Sequence, residues 1–114
     1  MRTYIALAAC LLFAACSRPE VQVEYPDGGP PLNQFFSMTI KVDPSHADSI
    51  HVDADMPAHG HGMIVKPVVT QEEPGVWRVD GMKYHMPGDW ELYVDLMNVD
   101  TATRVVIPVF LEPF

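Results

Sequence analysis

The sequence predicts an all-β fold: an immunoglobulin-like β-sandwich of about seven strands, preceded by a signal peptide and a short tether. Three observations carry this. Apolar and polar residues alternate over short runs. The runs recur at spacings of about ten residues, separated by turns rich in Pro, Gly, Asn and Asp. Beyond the leader, nothing repeats with the period of a helix.

The chain opens with a leader, residues 1–15. Arg2 precedes an apolar run, Tyr4 to Ala15, that ends in small residues, the form of a secretory signal. The run is shorter than the ~20 apolar residues a spanning helix needs. Phe13-Ala14-Ala15-Cys16 resembles a bacterial lipobox, which makes Cys16 the lipidated first residue of the mature chain. Ser17, where an Asp would retain the protein, directs it to the outer membrane, facing the periplasm of the bacterial envelope. Residues 16–32 then read as the lipidated Cys and a Pro/Gly-rich tether, with a short edge segment at Val21–Tyr25. The sandwich domain is expected over residues 33–114.

Phe36, Met38, Ile40 and Val42 share one face of the first strand, and Asp43-Pro44-Ser45 turns the chain. Ile50, Val52 and Ala54 share one face of the second, with His51, Asp53 and Asp55 on the other. Ile64–Thr70 reads as a third strand, placed at an edge or bulge by Pro67. After the Glu72-Glu73-Pro74-Gly75 turn, Trp77 and Val79 face inward from a fourth. Trp90, Leu92, Val94 and Leu96 give the clearest alternation in the chain. Asn98–Thr101 turns it again, and Val105, Ile107 and Val109 share a face of the last strand.

Composition narrows the chemistry. Asp and Glu number 15 against 7 Lys and Arg, an acidic balance that repels phosphate backbones and argues against nucleic acid. Cys10 leaves with the signal and Cys16 carries lipid, so no disulfide and no thiolate ligand remains. There is no G-x-S-x-G elbow, no thiol nucleophile and no phosphate-binding Gly loop. The chain reads as a non-enzyme.

Two short stretches concentrate the remaining chemistry. Met56–Met63 is MPAHGHGM, and Met82–Gly88 is MKYHMPG. Both fall between strands, and alternate loops of a sandwich gather at one end, where His59, His61 and His85 can meet. Thioether sulfur is soft and neutral and suits Cu(I), while imidazole binds both Cu(I) and Cu(II). The expected cofactor is therefore copper, Cu(I) in preference to Cu(II). The candidate ligands are His59, His61 and His85, with Met63 and Met86 as leading sulfur donors and Met56 and Met82 as further ones. The structural alternative is plain. H-x-H among glycines can be a polar turn, Met56 continues the inward register of Ala54, and Met63, Met82 and Met86 can pack under the loops. His46 and His51 read as solvated surface, as do Asp53, Asp55 and Asp89.

MPAHGHGM and GVWRVDGMKYHMPGDWELYVDL together resemble the YtkA-like or FixH-like domains of bacterial envelope proteins, over residues 36–108. Met86, Pro87, Gly88 and Trp90 match a Met-Pro-Gly turn followed by Trp. The resemblance implies a small immunoglobulin-like sandwich and links the chain to copper handling or cytochrome oxidase assembly. As ligands it implies Met56, His59, His61, Met63, His85 and Met86; Met82 is added by proximity. The membrane helix expected of a FixH protein is replaced here by the lipid anchor. The expected function is thus a lipid-anchored copper chaperone or reservoir serving a copper-donating or copper-accepting envelope protein. The alternative is a metal-free protein-interaction or scaffold module of the envelope.

Overall fold

A computed structural model describes residues 18–113, so the leader, the lipobox and Cys16 lie outside the described residues. Eight strands follow in order: β1 Val21–Glu24, β2 Phe36–Val42, β3 Ser49–Met56, β4 His61–Gly62, β5 Val68–Glu73, β6 Val76–Met82, β7 Gly88–Met97 and β8 Ala102–Leu111. They form two four-stranded sheets, β1-β2-β6-β5 and β4-β3-β7-β8, with every strand pair antiparallel. In immunoglobulin lettering these are A-B-E-D and C′-C-F-G, so the fold is the predicted sandwich.

The alternation read from the sequence becomes the core. Met38, Ile40 and Val42 of β2 and Ile50, Val52, Ala54 and Met56 of β3 are buried. From β7, Trp90, Leu92, Val94 and Leu96 join them. Val105, Ile107 and Val109 of β8 are half-buried against this core, and Pro108 points outward on a strand that pairs on one side only. A missing N–H is tolerated at such an edge.

One expectation changes and two are sharpened. The third strand starts at Val68 and runs to Glu73, not from Ile64 to Thr70. Pro67 has no N–H to pair, and residues 63–67 carry the chain from one sheet to the other, leaving Ile64 exposed. The edge segment expected at Val21–Tyr25 is β1, which pairs with β2 from Val21↔Val42 to Glu24↔Thr39, so the sheet begins within residues 16–32. Val21, Val23 and Tyr25 pack on the core, which holds this segment down. The number of strands is eight because β4, two residues long, adds a short rung to β3.

Local chemistry explains two irregularities. In β6 the inward residues are Trp77, Val79 and then Met82, a step of three. Opposite them the step from Phe36 to Met38 is two, so β6 carries a bulge, where Gly81 takes φ 77°. The β5–β6 turn needs Gly75, at φ 77°, because a Cβ there would lie 2.4 Å from the Val42 carbonyl oxygen.

Connections sort to two ends. At one end lie the turns β2–β3, β5–β6 and β7–β8; Asn98 donates from its side-chain amide to the His46 carbonyl (3.1 Å), and Val42 N–H donates to Gly75 O (2.9 Å). At the other end lie the β3–β4 turn and the β6–β7 loop, the two Met/His stretches.

Candidate metal centre

The β3 strand ends at Met56, and Pro57–His59 forms a single 3-10 turn closed by Gly60 at φ 66°. The Gly60 N–H donates to the carbonyls of Met56 and Pro57. This tight reversal sends His61 and Gly62 back along β3, opposite Met56 and Asp55. At Gly62 a Cβ would fall 2.6 Å from the Asp55 carboxylate, so a larger residue would push that side chain aside. On the other strand connection, Tyr84 is fully buried and pairs its backbone with Leu32. Alternation then turns His85 outward from Tyr84.

The result lines up the three rings, His59 beside His61 and His61 beside His85. Ring centres of His59 and His61 are 5.9 Å apart, and those of His61 and His85 are 5.3 Å apart. Imidazoles sharing one ion through ~2 Å metal–nitrogen bonds have ring centres roughly 5–6 Å apart. Beneath them lies Trp90, edge-on to His61 at 6.1 Å and to His85 at 5.5 Å. Its Nε1–H donates to the Met86 carbonyl at 2.9 Å and so fixes the Met86-Pro87-Gly88 turn.

The ring nitrogens differ. His61 Nδ1 lies 3.2 Å from the Gly62 carbonyl oxygen, which can only accept. In the neutral ring the proton therefore sits on Nδ1 and Nε2 keeps its lone pair. Ligating histidines are held in this way by backbone carbonyls. His85 Nδ1 is buried and has no hydrogen-bond partner. Desolvation, then the neighbouring His61 and Lys83 charges, hold the His85 pKa below the ordinary histidine value, which favours the neutral, metal-binding ring. His59 is exposed.

The methionines divide. Met63 and Met86 are half-buried at the edge of the core and close to the histidines in sequence. Met56 and Met82 are 1% and 0% exposed and belong to the core itself. The Met56 methyl lies under Gly88, within 3.1 Å of where a Cβ would stand. Among the described residues, no group of three His, Cys, Asp or Glu side chains is gathered to hold an ion. A metal centre here therefore needs thioether sulfur beside its imidazoles. His46 and His51 are exposed and remote from the centre; His51 Nδ1 sits 3.3 Å from Asp95. Asp53 and Asp55 are half-buried on the outer face, and Asp89 is exposed.

Sequence reading did not single out Trp90 or the Gly62 carbonyl as parts of this centre. The Trp was legible as a core residue of β7, but its place beneath two imidazoles depends on how the β6–β7 loop crosses the end of the sandwich.

The family model described as YtkA-like matches residues 20–95, which includes both Met/His stretches and β1. No curated protein and no solved structure matches the chain.

Proposed function

The chain belongs to the YtkA-like family, and from that premise and the geometry of its histidine end we propose that it is an envelope lipoprotein that carries copper. The observation that supports this most is the pairing of His61 with His85 at 5.3 Å, with His61 Nδ1 engaged by a carbonyl and His85 Nδ1 left without a partner. His61 and His85 supply nitrogen, His59 closes over them from the exposed turn, and Met63 or Met86 supplies sulfur. Copper supplies no reaction here; it is cargo, and Cu(I) fits a neutral donor set of imidazole and thioether better than Cu(II). Low coordination and an exposed third histidine suit transfer to a partner, so the role is chaperone or reservoir and not catalyst. A copper-accepting protein of the envelope, including one that assembles cytochrome oxidase, fits that role.

The test is an anaerobic Cu(I) titration of the chain from Arg18 onward against a chromophoric competing chelator. One equivalent bound at sub-nanomolar affinity is expected, weakened at least 100-fold, about 3 kcal/mol, in the His59→Ala/His61→Ala double variant. An affinity unchanged by both substitutions refutes the centre. Weak binding throughout would hand the two loops to protein docking instead.

A further inference from the structure

The two ends of the sandwich are not equivalent with respect to the N-terminus. β1 enters at Val21, opposite Val42, and runs toward Glu24, opposite Thr39. Arg18 borders shallow surface grooves with Lys41, Asp43 and His46 and with Thr103 and Arg104. All of these lie at the end that carries the β2–β3 and β7–β8 turns. His59, His61 and His85 lie at the opposite end, where β3 stops and β7 starts. β7 spans the distance between the ends with ten residues. At ~3.3 Å per residue the separation is roughly 30 Å.

Cys16 precedes Arg18 by two residues, so its reach from Arg18 is at most ~7 Å. Little of the short tether is left free, because Val21–Glu24 is β1, hydrogen-bonded into its sheet. We infer that the chain stands on the membrane by its β2–β3/β7–β8 end and presents the histidine end away from the bilayer, to a partner protein that approaches from the aqueous side. A site held ~30 Å from the lipid surface, several Debye lengths at physiological salt, is beyond the pull of lipid headgroup charge. The fitting partner is a soluble protein or an ectodomain that projects comparably far. An exchange site level with the bilayer surface does not fit. This rests on the lipoprotein part of the reading above and not on copper.

The experiment uses the full chain, processed and lipidated in a bacterial envelope, then reconstituted into phosphatidylethanolamine/phosphatidylglycerol vesicles containing a headgroup-nitroxide lipid. Single thiols are introduced by Val99→Cys, at a position 92% exposed in the β7–β8 turn, and by Ala58→Cys, exposed in the histidine turn, and each is labelled with a fluorophore. The Val99 label is expected to be quenched several-fold more than the Ala58 label. Asp48→Cys and Asp89→Cys, both exposed and at opposite ends, repeat the comparison should either first variant fold poorly. Equal quenching, or stronger quenching at the histidine end, overturns the inference. So does a mature chain whose mass shows no acyl groups on Cys16. None of these readings requires copper, so loss of copper binding with the orientation retained would refute the centre alone.

Discussion

His85 sits where packing and chemistry pull on one ring. Its neighbours penalise a proton, so the folded chain holds that proton more weakly than the unfolded chain does. Between the two values the unfolded state binds more protons, and stability therefore falls as pH drops below about 6.5, the ordinary histidine value. Above that value the ring is neutral in both states and contributes no pH dependence. Metal-free protein is expected to lose urea resistance between about pH 7 and about pH 5, and His85→Gln is expected to flatten that slope. A slope unchanged by His85→Gln would place the effect elsewhere. Asp43, Asp80 and Asp95 do not confuse the reading. Hydrogen bonds hold their carboxyls below 3.8, so the stability they contribute is lost only at still lower pH.

The elements that matter most are the two loops and the strand that locks them. Trp90 is 1% exposed and reaches the β6–β7 loop through its bond to the Met86 carbonyl. Its ring also packs against Tyr84 at 5.2 Å, tilted by 60°, which joins the loop to the core. Trp90→Phe keeps an aromatic plug but leaves that carbonyl without its donor and a cavity beside Tyr84. The combined cost is about 2–4 kcal/mol, read as a shift in the urea midpoint without a change of slope. A near-neutral substitution would mean that the Met86-Pro87-Gly88 turn holds its shape unaided. The loops also show how far periodicity reaches. MPAHGHGM reads as a turn from its glycines and proline. The return of His61 and Gly62 as a strand beside β3 does not, because two residues are too few to show a period.

On the scale of the whole molecule, the domain boundary decides which fragment is worth studying. A chain begun at Asn33 lacks β1, leaves β2 as an open edge and uncovers the core beside Val21, Val23 and Tyr25. Half-burial of three such side chains contributes about 3 kcal/mol. The fragment from Asn33 is expected to melt well below the one from Arg18 and to associate through its new edge, seen by calorimetry and light scattering. Equal melting temperatures would show that β1 adds nothing. Starting at Arg18 also separates faults of the centre from faults of the fold in any copper titration.

Period-two alternation by itself determined the all-β class, the inward faces of β2, β3 and β7 and most of their turns, because each strand's two faces meet different solvents. Residue chemistry by itself also picked out the imidazoles and thioethers as the unusual donors. Tertiary structure alone decided the A-B-E-D and C′-C-F-G strand order, since alternation says which face is buried but not which strand lies alongside. It alone paired β1 with β2, moved β5 past Pro67, and gave Met56 and Met82 to the core while leaving Met63 and Met86 at its margin. It alone set His61 against His85 over Trp90. The physical reason is the same in each case: these outcomes are contacts between residues far apart in the chain, and a local pattern carries no record of them.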